Sequence, residues 1–565
     1  MSKYIFVTGG FISGIGKGVT AASIGYLLKK HGYKVSIVKF ENYLNVDCGR
    51  MHPTEHGDPY LTQDGMVTDM DLGTYARFLD QEMYGRNFIT MGQLYKSVID
   101  RESSNGYSGK TVEASEALCR EIIDRIEAVV KAEGSDIVMV ELGGTVGESQ
   151  NFVYYEAVKM MKYRYKMDVY QVHVAYVPFI PSLGEPKTKP VQLSISELVS
   201  HGVFADIIVL RTEVPLDERR IEKLVRTCNI PRECIIENPT LESIYELPNH
   251  FESQNFSKTM LKILGLKAKE RIDLKEINYI AEKVRKIKAL ESSDLPTIAV
   301  VGKYFATGDY KLADSYAALL ESIKHAGIHF DVGVNIKYVN SEVSEGSMRE
   351  ELKGVKGIIV PIGWGNRGVE GKIEAITYAR ENKIPFLGLC YGLQLACIEW
   401  ARNVLMLEDA NSEEVDPNCK NKIVHSIPED EKYQRVTSKG VSMRLGGFDC
   451  VLKKGSLVSN IYGRDVVNER HRHRFEFNNE YRKLFEKSGF IFSGTSPDDF
   501  FVEMIELPQE IHPFFIATQA HPEYKSTPLN PHPIFVSFMK EVLNDFTSIS
   551  AKKVVKIDLL NKVKK

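Results

Sequence analysis

The sequence predicts two α/β domains, each a doubly wound (Rossmann-like) parallel sheet. Three observations support this fold class. A strand, a glycine-rich turn and a helix open the chain over 3–31. A second alternation of strands and helices begins at Thr297, after the polar, proline-ended segment 292–296. A third strand–turn–helix surrounds Cys390. Strands that alternate with helices are typical of parallel sheets covered on both faces.

Composition narrows the class of protein. A chain of 565 residues is too long for one core, and 43% hydrophobic with 26% charged residues is typical of folded domains. The net charge of −3 gives no overall reason to expect nucleic-acid or membrane binding. Eight cysteines without a C-x-x-C pair argue against zinc and disulfides, and the N-terminus runs straight into a strand. We therefore expect a reducing, cytoplasmic location and no membrane span.

The first βαβ unit carries a candidate phosphate site. A strand over Lys3–Val7 precedes a glycine-rich loop, a helix that ends near His31, and a strand over Lys34–Phe40. Glycines let backbone N–H groups curl around a phosphate, and Lys17 at the helix start would neutralise its charge. The spacing differs from the usual phosphate loop, with one extra residue before Gly16 and Gly18 in place of Ser/Thr.

Carboxylates follow this loop. The stretch 41–80 is polar and loop-like, and it contains Asp69, Asp71 and Asp80. A buried strand over Ile137–Glu141 ends in another carboxylate, at the edge of the sheet where ligands bind. These groups could hold Mg²⁺. The alternative interpretation of 41–80 is a solvated turn region.

Further elements complete the predicted alternation. The loop Glu185–Gln192 carries two lysines and is either a second anion site or ordinary surface. The expected elements are strands over Val169–Val177 and Asp206–Arg211, helices over Phe251–Leu264 and Lys275–Leu290, strand Thr297–Gly302, helix Leu312–His325, strands Gly333–Val339 and Gly357–Pro361, and helix Glu370–Asn382.

The turn at Cys390 is a candidate nucleophile elbow. Gly388 and Gly392 stand two residues on either side of the cysteine, where a strained strand-to-helix turn has no room for side chains. The following helix, to about Arg402, would favour the thiolate. His521 and Glu523 could supply the base and its orienting carboxylate. The alternative is a buried structural cysteine.

These motifs resemble the CTP synthase family along almost the whole chain. The matching segments are Ser13–Gly18, Asn45–Asp47, Asp69–Gly73, Glu141–Gly147, Lys187–Gln192 and the arginine-histidine run Arg470–Arg474. The resemblance implies a phosphate-loop amidoligase (synthetase) domain over 1–270, a helical linker over 271–296, a class I glutaminase domain over 297–548 and a basic tail over 549–565. The tail reads as a frayed amphipathic helix.

The resemblance also implies site residues. The catalytic groups would be Cys390, His521, Glu523, Lys17 and Lys39, with Mg²⁺ held by Asp71 and Glu141. ATP would contact Ser13, Gly14, Ile15, Gly16, Lys17, Gly18, Val19, Asp71 and Arg211. UTP or CTP would contact Ser13, Glu148, Ser149, Gln150, Lys187, Thr188, Lys189, Pro190, Val191, Gln192 and Lys223. Glutamine would contact Gly363, Tyr391, Gln394, Glu414 and Arg470, with the Pro361–Gly365 loop and the Tyr391 N–H as oxyanion hole.

The implied reaction is ATP-dependent amination of UTP to CTP through a 4-phosphorylated UTP, using ammonia released from glutamine. Mg²⁺ and the co-substrate ATP are expected, with GTP as activator, CTP as feedback inhibitor, and a homotetramer that could form filaments. Two alternatives stay open, another amidoligase of the cobyrinic acid amide synthase type and a catalytically weakened paralogue. The run of five basic residues at 470–474 would otherwise suggest a nucleic-acid patch, which the near-neutral chain disfavours.

Two segments of the expected pyrimidine pocket depart from the family pattern. Glu113 and Glu116 stand where the family has neutral or imidazole groups, and Glu148, Ser149 and Gln150 replace an aspartate, an isoleucine and a glutamate. Carboxylates close to a polyanion would repel it, so the sequence predicts UTP binding weakened roughly fivefold and blunted CTP inhibition.

Overall fold

Two sheets organise the chain. A computed structural model describes residues 2–49, 51, 57–290, 295–303, 305–307, 310–311, 313–342, 346–427 and 443–544. The described residues form two units, one from Met1–Arg50 with Asp71–Arg285 and the other from Met51–Met70 with Lys286–Lys565. The basic tail predicted over 549–565 lies outside the described residues.

The first 290 residues hold eleven strands and ten α-helices in the described part of the chain, besides short 3-10 and π turns. The strands are β1 (Lys3–Gly9), β2 (Val35–Glu41), β3 (Tyr60–Leu61), β4 (Val67–Thr68), β5 (Phe88–Thr90), β6 (Ile137–Leu142), β7 (Asp168–Val177), β8 (Phe179–Ile180), β9 (Glu185–Pro186), β10 (Ile207–Thr212) and β11 (Ile235–Pro239). The helices are α1 (Lys17–Lys30), α2 (Asp71–Leu79), α3 (Met91–Ser103), α4 (Ala114–Glu133), α5 (Phe152–Lys159), α6 (Lys189–Ser200), α7 (Glu218–Cys228), α8 (Leu247–Ser253), α9 (Phe256–Leu264) and α10 (Lys275–Lys288).

The sheet of the first unit is parallel throughout. Its strand order is β11-β10-β7-β1-β6-β2-β5, and every neighbouring pair runs parallel. The central strands are near-continuous apolar runs because helices cover both faces. The register pairs Glu141 with Val7 on one side and with Lys39 on the other. These charged side chains therefore meet at the carboxyl edge, beside the glycine-rich loop.

Two expectations for this part of the chain need correction. The stretch 41–80 is not only loop, since it contains the β3/β4 hairpin and helix α2. The helix expected over Phe251–Leu264 is two helices, α8 and α9. Asn255 between them has φ 59°, a left-handed conformation that ends one helix before the next begins.

The rest of the described chain continues the numbering. Its strands are β12 (Thr297–Gly302), β13 (Ala306–Thr307), β14 (Tyr310–Lys311), β15 (Asn335–Asn340), β16 (Gly357–Val360), β17 (Phe386–Leu389), β18 (Ala410–Ser412), β19 (Asn421–Ser426), β20 (Arg444–Leu452), β21 (Val466–His473), β22 (Phe475–Phe477), β23 (Ile491–Thr495), β24 (Val502–Glu506) and β25 (Phe515–Thr518). Its helices are α11 (Ala317–His329), α12 (Met348–Glu351), α13 (Val369–Glu381), α14 (Tyr391–Asn403), α15 (Leu457–Tyr462), α16 (Arg482–Lys487) and α17 (Pro533–Asn544).

The second unit is built on a mixed sheet. Its order is β15-β12-β16-β17-β25-β24-β23-β20-β21. The strands from β15 to β25 run parallel, and those from β24 to β21 run antiparallel. Because β17 and β25 are parallel neighbours, the residues that follow them, Cys390 and His521, emerge at the same edge of the sheet.

The β3/β4 hairpin belongs to this second unit, although the sequence analysis placed residues 1–270 in one domain. The guanidinium of Arg470 donates to the Leu61 carbonyl over 2.7 Å. The Gly447 N–H donates to the Gln63 carbonyl over 2.8 Å, and the Gln63 amide donates to Asn468 over 2.6 Å. No pattern of sequence periodicity indicated this packing. Among the described residues, no helix is long and apolar enough to cross a bilayer.

Candidate active sites

The glycine-rich loop has the backbone of an anion cradle. Gly14 and Gly16 have φ values of 70° and 83°, which only glycine adopts without strain. Lys17 is the first residue of α1, and its ammonium donates to the Gly144 carbonyl. Burial lowers the pKa of Lys17, and the neighbouring Lys39 lowers it further. A bound phosphate would supply negative charge and so favour the protonated form of Lys17.

Lys39 is the centre of a buried charge cluster. Its Nζ lies 2.7 Å from Asp71, 2.8 Å from Glu141 and 3.2 Å from Glu41, and the lysine is 3% exposed. Burial disfavours the ammonium, but Asp71, Glu141 and Glu41 outweigh it and hold the pKa of Lys39 well above its usual range. The Tyr75 hydroxyl donates to Glu141. The sequence reasoning named three of these residues and missed Glu41 and Tyr75.

The donor set fits a magnesium ion. Asp71 and Glu141 converge on one ammonium, and a Cβ added at Gly18 of the phosphate loop would lie 3.1 Å from Asp71 Oδ1 and 3.6 Å from Glu141 Oε2. Two carboxylates next to a phosphate site are the ligands that Mg²⁺ shares with substrate phosphates. Within the described ranges, no cluster of three or more His, Cys, Asp or Glu side chains has metal-site geometry. A metal here would therefore depend on the nucleotide for its remaining ligands.

The segments expected to hold the nucleotides lie at several places around this unit. Ser13 is exposed in the loop, and Arg211, at the end of β10, donates to the carbonyls of Thr212 and Asn238. Lys187 pairs with Glu185, and α6 begins two residues later. In this second loop, Thr188 and Val191 are buried, Pro190 and Gln192 are partly exposed, and Lys189 is exposed. Lys223 is exposed on α7. Their roles in nucleotide binding stay predictions.

In the two segments that depart from the family pattern, Glu116 and Glu148 are engaged by neighbouring groups of the protein. Glu116 is exposed on α4 and pairs with Arg120 at 3.0 Å and Arg164 at 3.1 Å. These two arginines lower the pKa of Glu116. Glu148 accepts a 2.7 Å hydrogen bond from the Thr145 N–H and another of 3.1 Å from Asn42. The first of these bonds stabilises the turn between Thr145 and Glu148. The charge of Glu116 is therefore already paired within the protein, which weakens the repulsion of UTP expected from it; the effect on UTP binding stays a prediction.

The elbow at Cys390 has the strained geometry that its glycines predicted. Cys390 has φ 52° and ψ −98°, in a region that residues with side chains rarely adopt. A Cβ on Gly388 would lie 2.8 Å from the Ala517 Cβ and 2.9 Å from the Gly392 carbonyl carbon. The Cys390 N–H donates to the Thr518 carbonyl over 2.7 Å, which ties the turn to β25. The strain lifts the thiol from the sheet, as in a nucleophile elbow.

His521 and Glu523 stand beside this thiol. His521 Nδ1 lies 2.7 Å from Glu523 Oε1, and the imidazole is fully buried. Burial disfavours the imidazolium, but Glu523 and Cys390 outweigh it and raise the pKa of His521 to about 10. With Nδ1 engaged, Nε2 is the nitrogen left to exchange a proton with the sulfur. Gln519, which the sequence reasoning missed, donates to the Cys390 sulfur over 3.6 Å.

The loop over Pro361–Gly365 lies against the elbow. The Tyr391 hydroxyl donates to the Gly365 carbonyl over 2.9 Å. Glu414 accepts from the Gly365 N–H and from Arg474, both at 3.2 Å. A Cβ on Gly363 would lie 3.2 Å from the Tyr391 ring, so the loop needs a glycine for this close approach. The role of these groups toward glutamine stays a prediction.

Two residues expected to hold glutamine are engaged with the protein. The Gln394 amide donates to the Phe475 carbonyl over 2.8 Å and to Gln519 over 3.2 Å. Arg470 is 1% exposed, and its guanidinium donates to the carbonyls of Leu61 and Tyr524. This packing gives Arg470 an anchoring task on the β3/β4 hairpin.

The first four residues of the arginine-histidine run form a buried strand and not a surface patch, whereas Arg474 lies beyond β21 and is partly exposed. Arg470, His471, Arg472 and His473 are all at most 8% exposed in β21. The Arg472 carbonyl accepts from the Cys390 thiol over 3.7 Å, and its guanidinium lies 5.7 Å from the centre of the Trp364 ring. The backbone of Arg472 is therefore in contact with the thiol. The alternation of side chains along a strand places residue 472 on the same face as residue 470, and this pattern could have identified Arg472 as a further candidate from the sequence.

Comparison with known proteins identifies the family. The family model described as CTP synthase N-terminus matches residues 3–266, and that of the class-I glutamine amidotransferases matches 311–541. A CTP synthase of Caldanaerobacter subterraneus subsp. tengcongensis is 45% identical, with 96% of this chain and 99% of the relative covered. The chain belongs to the CTP synthase family. The CTP synthase of Halalkalibacterium halodurans is 44% identical over 96% of this chain and 99% of its own.

One solved structure that part of this chain resembles is the Trypanosoma brucei CTPS glutaminase domain with bound acivicin. It is 38% identical, covers 44% of this chain and 93% of its own, and has a TM-score of 0.40. The CTP synthase N-terminus model covers the strands of the first sheet, and the class-I glutamine amidotransferase model covers most of the second unit, including β17 and β25.

Proposed function

We infer that this protein makes CTP from UTP, with ATP and glutamine as co-substrates. The observation that carries this conclusion is that one chain of the family holds both sets of groups. A strained cysteine with its histidine–glutamate pair lies in one unit, and a glycine-rich loop with Lys17 and Lys39 lies in the other.

Glutamine hydrolysis follows from the Cys390 geometry. The thiolate attacks the side-chain carbonyl of glutamine, and backbone N–H groups of the Pro361–Gly365 loop and of Tyr391 would stabilise the oxyanion. His521 gives its proton to the leaving nitrogen, so ammonia departs and a thioester forms. Water, deprotonated by His521, then cleaves the thioester to glutamate and restores the thiol.

Synthesis of the C–N bond belongs to the amidoligase half. The γ-phosphoryl group of ATP passes to the uracil O4, ADP leaves, and ammonia displaces the phosphate at C4 to give CTP. Lys17 and Lys39 carry positive charge where negative charge accumulates on the transferred group. Asp71 and Glu141 would hold Mg²⁺, which neutralises triphosphate charge when bound.

Several finer expectations belong to the same proposal. We expect feedback inhibition by CTP, activation by GTP, and a homotetramer. We also place the protein in a reducing cytoplasm, since its eight cysteines, all within the described residues, are free thiols. Neither nucleic acid nor membrane is a proposed partner.

The two alternatives are disfavoured by specific observations. Identity of 45% to a CTP synthase over nearly the whole chain argues against a cobyrinic acid amide synthase. The elbow, the histidine–glutamate pair and the Lys39 cluster are all present, which argues against a weakened paralogue.

A coupled assay tests the proposal. The full chain is supplied with UTP, ATP and Mg²⁺, and with either glutamine or an ammonium salt, and CTP formation is followed. CTP from both nitrogen sources is expected. Absence of CTP from both would overturn the proposal, and CTP from ammonia alone would restrict it to the amidoligase half.

A further inference from the structure

One buried lysine in the glutaminase unit has no part in the chemistry described above. Lys372, on α13, is completely buried, and its Nζ donates to the Pro361 carbonyl over 3.1 Å. The same Nζ lies 5.4 Å from the centre of the Tyr391 ring. A Cβ on Gly363 would lie 2.9 Å from it. The lysine is therefore beneath the oxyanion loop and behind the elbow.

Two lysines fix this loop by hydrogen bonds to its backbone carbonyls. Lys372 donates to the Pro361 carbonyl, and Lys303 donates to the Trp364 carbonyl and to that of Arg367, just beyond the loop. In a trans peptide the carbonyl and the next N–H point to opposite sides. Fixing the Pro361 carbonyl inward therefore turns the Ile362 N–H the other way. Lys372 thus controls the orientation of peptide groups at the start of the loop.

We propose that Lys372 is a positioning residue for glutamine hydrolysis, which orients the Pro361–Gly365 loop and places a positive charge behind Cys390. This inference rests on the proposed function of the glutaminase unit. A fixed cation close to a developing oxyanion stabilises it without reorganisation, and a fixed donor keeps the loop in its reactive conformation.

The charge of Lys372 depends on its burial and on its neighbours. Burial, followed by repulsion from Lys303, lowers the pKa of Lys372 to about 7, and attraction to Cys390 acts in the opposite direction. The charged and titratable groups that face it are Lys303 beyond the end of β12, and Cys390 and Tyr391 at the elbow. A buried lysine that served only for packing would need no negatively charged neighbour. The attraction to Cys390 instead favours the charged form of Lys372.

Two variants of the full chain separate the parts of this role. Lys372→Met removes charge and donor at similar length, whereas Lys372→Gln keeps a donor and removes the charge. We expect the methionine variant to lower kcat for glutamine hydrolysis roughly 10- to 100-fold, with a smaller change in KM, and the glutamine variant to recover part of the loss. Lys356→Met, at an exposed position, is the matched control.

A second readout reports on the charge alone. Alkylation of Cys390 by iodoacetamide, measured on its own peptide by mass spectrometry, should have its pH midpoint shifted upward by about one unit in both variants. Ammonia-dependent CTP synthesis should stay near that of wild type. A purely structural lysine would not shift the alkylation profile.

Three results would overturn the role of Lys372. They are hydrolysis within twofold of wild type in both variants, an unshifted alkylation profile, and parallel loss of ammonia-dependent synthesis in both variants. Failure of the wild-type chain to hydrolyse glutamine would instead count against the proposed function, so the two outcomes are distinguishable.

Discussion

His521 and Glu523 form a buried hydrogen bond of 2.7 Å between Nδ1 and Oε1. The carboxylate, together with Cys390, raises the pKa of His521 to about 10 although burial acts against it. A raised pKa in the folded state means that the imidazolium contributes stability at low pH. That contribution is complete below about 6.5 and is lost as the pH rises through about 10.

Glu523→Gln tests this pair. Without the carboxylate, the histidine loses its orientation and its favoured proton, so we expect glutamine hydrolysis to fall roughly 10²- to 10⁴-fold. Thermal unfolding of wild type and variant should differ most near pH 6 and converge toward pH 10. The exposed Glu510→Gln serves as control. A difference in unfolding temperature that is the same at every pH would contradict the assignment.

Cys390→Ala separates the two half-reactions. We expect glutamine-dependent CTP synthesis to disappear, because the thioester cannot form, while synthesis from ammonia persists. Cys228→Ala, at a partly exposed cysteine of the first unit, is the control for general effects of losing a thiol. Equal loss of both activities would show that the chemistry does not divide as proposed.

Lys39→Met tests the buried charge cluster. Removal of the ammonium leaves Asp71, Glu141 and Glu41 facing one another, so we expect a loss of about 3–5 kcal/mol in the free energy of unfolding. Mutual repulsion would raise the carboxylate pKa values in the folded variant. The loss should therefore shrink as the pH falls.

The Lys39 variant should also lack CTP synthesis from either nitrogen source, as should Lys17→Ala, because we propose that both lysines stabilise the transferred phosphoryl group. A second substitution, Glu141→Gln, is expected to restore part of the stability of Lys39→Met but none of its activity. Near-normal ammonia-dependent activity in either lysine variant would make that lysine structural.

Arg470→Leu and Arg472→Leu distinguish anchoring from substrate binding. Loss of the Arg470 guanidinium removes a donor from the buried Leu61 and Tyr524 carbonyls, so we expect about 2–4 kcal/mol of destabilisation and faster proteolysis within 57–70. Arg472→Leu should raise KM for glutamine more than it lowers stability. If the Arg470 variant is as stable as wild type but binds glutamine poorly, Arg470 contacts glutamine, as the family resemblance implies.

Glu113→Gln and Glu116→Gln test the altered pyrimidine segment. Glu116 is exposed and already paired with Arg120 and Arg164, so neutralising it should change UTP affinity less than about twofold. Isothermal titration calorimetry on the full chain provides the measurement. A several-fold gain in UTP affinity would restore the repulsion argument that the sequence alone suggested.

Local patterns in the sequence determined the two α/β units and the position of each chemical motif. Most predicted elements lie within a few residues of their observed bounds, because apolar strands, helix periodicity and positive-φ glycines act over short stretches of chain. The Cys390 elbow is the clearest case. Its two glycines are needed by the backbone of the turn itself, so the sequence was sufficient to predict it.

Only the tertiary structure decided which distant groups share a site. The packing of the β3/β4 hairpin on Arg470, the pairing of Glu116 with Arg164, and the position of Lys372 under the loop all join residues far apart in the chain. No periodicity encodes such contacts, because they depend on strand order and on which buried polar group needs a partner. A buried lysine and an exposed one look alike in sequence, and burial is what gives Lys372 its chemistry.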